Sequence, residues 1–192
     1  TLYFDDGQWL GLFDELVIKY DLKVGKEVDS GEITELALED DSKKAMDLAI
    51  RYLGYRARSQ KEMENYLQGK GFCQDIIERT IDKLESYGYI DDRAFAGDWV
   101  RGRMKSKPMG KVMIKMELIQ KGIAEEIIEE SLEGIDEDTE LLKAREVVLK
   151  FEKRYRDLGE RERNYKIGQA LARRGFNWET IKRAIDLIDS EQ

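Results

Sequence analysis

The chain has 192 residues with a net charge of −8 at pH 7; 39 % of its residues are charged, one is proline and none is histidine. Without histidine, and with one cysteine, it lacks the usual general base and the ligand sets of zinc sites, and it contains no phosphate-binding glycine loop. We therefore expect no enzymatic activity, no cofactor and no metal site. The scarcity of proline and the many charges favour helices with solvated faces.

The chain contains no run of about 18 apolar residues, the length that a membrane-spanning helix needs. Its single cysteine, Cys73, fits a reducing compartment. We therefore expect a cytoplasmic protein without membrane contact, and a monomer.

Residues 1 to 40 predict a small α/β extension. Asp5, Asp6 and Gly7 lie between two short apolar runs, which indicates a β-hairpin. Residues 16 to 22 are compatible with a short helix or with a third strand, and residues 31 to 38 with a short helix.

Three later stretches share one pattern, and their glycines are Gly71, Gly122 and Gly175. Each stretch reads leucine, two residues, a base, glycine, a large apolar residue, two residues, an acid, one residue and isoleucine. The base suits the C-terminus of a helix, and the glycine supplies the left-handed backbone that stops it. The apolar residue packs back on that helix, and the acid lies in the first turn of the next. Each stretch therefore predicts helix, glycine, helix.

Helical periodicity extends this pattern into three repeats of three helices, over residues 41 to 88, 89 to 135 and 136 to 192. We expect Asp41 or Ser42 to cap the first helix, and Ser59 with Glu62 to form a capping box. Asp91 and Asn177 are the expected caps in the later repeats. The fold class is mainly α, with ten helices in an elongated, curved body and a small N-terminal extension that contains the hairpin.

Three details of the later repeats complete this prediction. The second helix of the second repeat offers five apolar side chains to the core: Val112, Ile114, Met116, Leu118 and Ile119. Residues 136 to 138 form an acidic linker before a helix that begins near residue 139. Trp99 and Trp178 lie at helical spacing beside apolar residues, which favours core positions over stacking platforms for nucleic-acid bases.

The net negative charge conceals two basic segments. Residues 89 to 122 hold eight bases and four acids, residues 141 to 174 hold eleven bases and five acids, and residues 123 to 140 between them hold nine acids and no base. A single base most often pairs within its own helical surface. Because the bases cluster at equivalent turns of successive repeats, they indicate a face for an anionic partner. The candidate residues are Arg101, Arg103, Lys105, Lys107, Lys111 and Lys115 in the second repeat, and Arg154, Arg156, Arg161 and Arg163 in the third.

An ordered set of motifs resembles the RecX family of bacterial recombination regulators. The motifs are Arg51-Tyr52-Leu53, Arg58-Ser59, Tyr89-Ile90-Asp91-Asp92, Phe95-Ala96, Trp99-Val100, Arg103, Gly110, Glu117-Leu118, Lys121-Gly122-Ile123 and Leu171-Ala172-Arg173-Arg174-Gly175-Phe176. The resemblance covers about residues 45 to 188, and the first 40 residues are similar to a β-containing extension of longer members.

The resemblance implies a non-enzymatic regulator that binds the RecA recombinase filament on DNA. Such proteins lodge in the groove of the filament and limit its growth, ATP hydrolysis, strand exchange and LexA cleavage. Acidic stretches would then face basic RecA surfaces, and the basic turns would face acidic RecA surfaces or DNA phosphates.

Two alternatives stay open at this point. The repeats are also compatible with direct nucleic-acid binding, to single- or double-stranded DNA, although the acidic total argues against it. A helical adaptor for another protein is the third possibility.

Overall fold

The computed structural model describes residues 1 to 106 and 108 to 189, apart from the side chains of Ser106 and Asp189. The elements in order are β1 (Leu2–Tyr3), β2 (Trp9–Leu10), α1 (Asp14–Lys19), α2 (Ser30–Leu53), α3 (Gln60–Gln68), α4 (Gln74–Ser86), α5 (Asp92–Ser106), α6 (Lys111–Gln120), α7 (Glu125–Glu133), α8 (Glu137–Arg154), α9 (Glu160–Ala172) and α10 (Trp178–Asp189). The chain forms two compact units, Thr1–Ile90 and Asp91–Gln192. The mainly helical fold class, with helices α2 to α10 in three-helix repeats, is confirmed. No helix within the described ranges is long and apolar enough to cross a membrane.

The N-terminal extension begins with the predicted hairpin. β1 and β2 pair antiparallel, Leu2 with Leu10 and Tyr3 with Trp9. The segment that was compatible with a helix or a strand forms α1, whose Leu16 is fully buried. Just before α1, the backbone N–H of Phe13 donates to the buried carboxylate of Asp40 at 2.8 Å. This contact fastens the extension to α2.

The predicted break before residue 41 is wrong, because α2 is a single helix of 24 residues. Its cap is Asp29, whose carboxylate accepts from Gly31 N at 2.7 Å and Glu32 N at 2.9 Å. Ser42, one of the expected caps, donates instead to Leu38 O at 2.8 Å, within the helix. The polar residues that suggested a helix start are therefore satisfied inside a continuing helix.

The glycine stops are confirmed in all three repeats. Gly71, Gly122 and Gly175 have φ of 89°, 76° and 79°. The residue after each glycine donates its backbone N–H to the carbonyl of the pattern's leucine, at 3.4, 3.1 and 3.3 Å in chain order. The N–H of each glycine donates a hydrogen bond to the carbonyl of the residue that follows this leucine, at 3.0, 2.9 and 2.9 Å in chain order. This paired bonding is the Schellman motif, which satisfies the last carbonyls of a helix.

Three of the predicted side-chain caps are confirmed. Ser59 and Glu62 form the capping box of α3, Asp91 accepts from Ala94 N at 2.9 Å, and Asn177 accepts from Thr180 N at 2.8 Å. α8 begins earlier than expected, because Asp136 caps it by accepting from Thr139 N at 2.7 Å. Hydrogen bonds from the side chain and from the backbone N–H of Thr139 lower the pKa of the Asp136 carboxyl. The acidic residues 137 and 138 thus lie in the first helical turn, where the helix dipole favours them.

Each repeat encloses its own apolar core, and two core predictions need correction. In α6 only Ile114 and Leu118 are buried; Val112, Met116 and Ile119 are at least half exposed, because the neighbouring helices cover one stripe of α6. Trp99 packs partly buried against the core of the second repeat, as expected. Trp178, the first residue of α10, is 76 % exposed, so its predicted core position is wrong.

The second and third repeats meet through two glycines inside the second unit. Gly110 N donates to Arg174 O at 2.9 Å, and Lys111 N donates to the buried carboxylate of Glu140 at 2.9 Å. A Cβ on Gly110 would lie 2.1 Å from Gly175 O, and one on Gly175 would lie 2.4 Å from Met113 N. The backbones therefore approach more closely than any side chain would permit.

We predict that Gly175→Ala destabilises the chain far more than Gly71→Ala. Both place alanine at a positive φ, which costs about 1–2 kcal/mol. A Cβ at Gly71 meets nothing within 4 Å, whereas one at Gly175 meets the backbone of Met113. That collision adds about 1–3 kcal/mol. Urea denaturation followed by circular dichroism measures the difference, and equal losses for the two variants would contradict the close junction.

We predict that Asp40→Ala releases the N-terminal extension. The substitution leaves Phe13 N without its acceptor and removes the carboxylate that pairs with Lys44. The local free energy of opening falls by about 1–2 kcal/mol, which accelerates tryptic cleavage between residues 19 and 26. Asp41→Ala is the matched control, because Asp41 is half exposed and meets Lys44 at 3.4 Å. Equal cleavage rates in both variants would disprove this role of Asp40.

Candidate anionic-partner interface

Arg103 in the second repeat contributes to the core rather than to an open surface. Its Nε donates to Glu117 Oε2 at 2.6 Å, and its guanidinium lies 4.5 Å from the centre of the Trp99 ring. The Trp99 indole N–H donates to the same carboxylate oxygen at 2.7 Å. Lys121 approaches the Trp99 ring at 4.2 Å. Because the Arg103 and Glu117 side chains are only 26 % and 19 % exposed, this cluster joins α5 to α6.

Two further candidate bases of the second repeat, Lys115 and Arg101, form ion pairs with acids of the same repeat. Lys115 pairs with Glu125, at 3.2 Å, and with Glu129, both on α7. The hydrogen bond to Glu129, and after it the one to Glu125, raises the pKa of Lys115. Arg101 pairs with Asp98 one helical turn away, although its side chain is 72 % exposed. Such exposed pairs exchange readily for a partner's charge.

The remaining bases of the second repeat differ in exposure. Lys105 is exposed and makes no ion pair within the described ranges. Lys111 is half buried, with its backbone N–H bound to Glu140. Lys107 lies outside the described residues.

The turn of the third repeat is more open. Arg154 lies over the rings of Phe151 and Tyr155, at 6.0 and 5.8 Å from their centres. Arg156 is 80 % exposed, with Asp157 at 3.7 Å as a weak partner. Arg161 is exposed, and Arg163 is half buried.

In each repeat, bases stack on aromatic rings, and the sequence pattern alone does not reveal this stacking. Lys70, Lys121 and Arg174, the bases of the shared pattern, lie over Tyr66, Trp99 and Phe151 at 5.4, 4.2 and 5.0 Å. The aromatic rings themselves stack in pairs, Tyr52 on Tyr66, Phe95 on Trp99 and Phe151 on Tyr155. A cation over a ring face is worth about 0.5–1 kcal/mol at exposed sites. The recurring base therefore covers an aromatic ring at the edge of each core and also places a positive charge at the C-terminus of the helix.

The structure also gathers bases that the sequence did not place together. Within the second unit, a cleft of about 590 Å³ lies at the junction of the second and third repeats, and we call it the junction cleft. Its apolar lining is Pro108, Met109, Val147 and Phe151, and its charged lining is Glu146, Lys150, Arg173 and Arg174. Pro108 and Met109 lie in the basic turn of the second repeat, between α5 and α6, whereas Lys150 lies on α8 and Arg173 at the end of α9. Sequence spacing cannot indicate this grouping, because it results from packing between repeats.

These features define a mainly helical protein of tandem three-helix repeats. Family models of the RecX three-helix domains match the chain at residues 45–84 for the first domain, 91–132 for the second and 138–185 for the third. The chain belongs to the RecX family, whose curated members are regulatory proteins.

Individual relatives agree with this assignment. Regulatory protein RecX of Bacillus licheniformis is 35 % identical over 194 residues, which cover all of this chain and 73 % of that protein. The Clostridium tetani protein is 32 % identical, covering 98 % of this chain and 87 % of its own length. A crystal structure of regulatory protein RecX matches with a TM-score of 0.79 at 28 % identity, over 96 % of this chain and 92 % of that one. The crystal structure of RecX from Lactobacillus salivarius matches with a TM-score of 0.72 at 31 % identity, over 79 % of this chain and 98 % of that one.

We predict that Arg103→Ala lowers stability whereas Lys105→Ala does not. Removing Arg103 strips Glu117 of its ion pair and Trp99 of a cation on its ring, at a loss of about 1–3 kcal/mol. Lys105 is exposed, so its removal changes the free energy of unfolding by less than about 0.5 kcal/mol. Thermal unfolding of the two variants beside the parent chain measures both effects. Equal melting temperatures would show that Arg103 does not support the core.

Proposed function

We propose that this chain is a non-enzymatic regulator that binds the RecA recombinase filament on DNA. It inhibits filament growth, ATP hydrolysis, strand exchange and LexA cleavage, and thereby acts in DNA repair, recombination and the SOS response. It works in the cytoplasm as a monomer and reaches DNA weakly or through the filament. Membership of the RecX family is the observation that carries this proposal.

The ion pairs of the candidate bases support two different roles, one in stabilising the repeats and one in binding a partner. Arg103 and Lys115 are engaged by carboxylates of their own repeat, so they hold the fold together. Lys105, Arg154 and Arg161 are exposed and make no ion pair within the described ranges. We therefore assign these three bases to the contact with acidic RecA surfaces or DNA phosphates.

The acidic parts of the chain have a complementary role in this proposal. Residues 123 to 140 carry nine acids and no base, and part of that charge is exposed on α7. These carboxylates would face basic surfaces of RecA and would repel bare DNA. Opposite charges on separate segments favour a mixed protein and nucleic-acid partner over DNA alone.

The ATPase rate of RecA on single-stranded DNA tests the proposal. We expect half-maximal inhibition at far fewer copies of the chain than of RecA. The variant Lys105→Ala/Arg154→Ala/Arg161→Ala should require roughly tenfold more protein, because exposed charges each contribute a fraction of a kcal/mol. The matched control, Lys23→Ala/Arg51→Ala/Lys61→Ala, removes three bases from the first unit and should retain full potency.

The contradicting outcomes separate the two parts of the proposal. An unchanged ATPase rate with the parent chain would contradict regulation of RecA. Inhibition that the first triple variant retains in full would contradict the assigned surface alone.

Direct DNA binding remains the second candidate, because the same exposed bases suit phosphates. Its signature is an affinity for bare duplex DNA that falls by roughly 0.9 log units per log unit of salt for each phosphate contacted. Strong, salt-dependent binding without any effect on RecA would favour this candidate.

A further inference from the structure

The junction cleft combines an apolar floor with a cationic rim. Phe151 and Val147 of α8 lie at the floor with Met109, and Lys150 and Arg173 stand at the rim. A volume of about 590 Å³ lies within the range of ligand-binding pockets and admits a large side chain. The close contact of Gly110 with Gly175 fixes the two repeats on either side of it.

The positive charge of the rim is available to a partner. Lys150 and Arg173 are exposed and make no ion pair in the part of the chain that the structure describes. The single acid of the lining, Glu146, is engaged by Lys143 at 2.6 Å. Arg174 is partly committed, since it donates to Ala170 O at 2.8 Å and covers the Phe151 ring. The rim therefore attracts anions.

The state of Phe151 distinguishes between two kinds of anionic partner. Proteins that bind single-stranded nucleic acid offer open ring faces on which bases stack. The Phe151 ring already packs against Tyr155 at 5.7 Å, Arg174 at 5.0 Å and Arg154 at 6.0 Å. Because Tyr155, Arg174 and Arg154 already pack around the ring, Phe151 offers no open face on which a base could stack. We therefore regard it as part of the apolar floor of the cleft. An apolar side chain flanked by carboxylates fits this arrangement better than a nucleotide.

We propose that the junction cleft binds an acidic peptide segment of a protein partner. One large apolar side chain of the segment enters the floor beside Met109 and Val147, and its carboxylates meet Lys150 and Arg173. The inference rests on the proposed function in that the segment belongs to the protein that the chain regulates. It adds a peptide-binding site whose charged groups, Lys150 and Arg173, are not among the candidate bases of the two basic turns.

Fluorescence anisotropy of the intact chain with a labelled peptide tests this inference. The probe is a short peptide of glutamate and aspartate with one central phenylalanine, and its partner probe has alanine in place of phenylalanine. We expect the phenylalanine peptide to bind roughly tenfold more tightly. Lys150→Glu/Arg173→Glu should weaken its binding by at least about tenfold.

A matched control separates site-specific binding from general attraction. Lys153→Glu/Lys182→Glu makes the same change of charge in the third repeat at exposed bases outside the cleft, and it should bind the phenylalanine peptide like the parent chain. Circular dichroism verifies that both variants are folded.

Equal affinities for the two peptides, or equal losses in both double variants, would overturn the inference. So would a loss of binding to oligothymidylate, a probe for single-stranded DNA, instead of peptide binding in Lys150→Glu/Arg173→Glu. Failure of peptide binding with RecA inhibition retained would overturn the cleft inference alone. Peptide binding without any effect on RecA would contradict the proposed function instead.

Discussion

Every repeat of this fold depends on one backbone position that must be left-handed. Gly71, Gly122 and Gly175 end the second helix and reverse the chain into the third, and each supports the same pair of backbone hydrogen bonds. The reversal returns an apolar residue to the core that the helices enclose. At Gly175 the absence of a side chain also allows the second repeat to approach the third. One residue type thus satisfies a helix end and a contact between repeats.

The charges of the chain divide into those that hold the repeats and those that face outward. Arg103 lies between Trp99 and Glu117, and Lys115 is held by two carboxylates of α7. Similar bases a few residues away, such as Lys105, have no such partner within the described ranges. A base in a buried ion pair would have to leave its carboxylate to bind a partner, and this would destabilise the fold. An exposed base without such a pair can bind a partner at no cost in stability. A basic segment in the sequence therefore overstates the number of bases that are exposed and unpaired within the described ranges.

Local hydrogen bonds explain why so much of the fold could be predicted from the sequence. The capping box at Ser59, the cap at Asn177 and the glycine stops each involve groups within about five residues, so spacing reveals them. The predicted break before residue 41 is wrong because the same polar residues are satisfied inside a helix. The environment of Trp178 and the grouping of Lys150 with Arg173 depend on packing between distant segments, for which spacing carries no signal.

Hydrogen–deuterium exchange of the chain, with and without RecA filaments on single-stranded DNA, tests whether the exposed bases of the second and third repeats contact the filament, as we propose. We expect slower amide exchange on filament addition at residues 101 to 105 and 154 to 161. Unchanged exchange in both segments, with protection confined to other parts of the chain, would contradict this proposal.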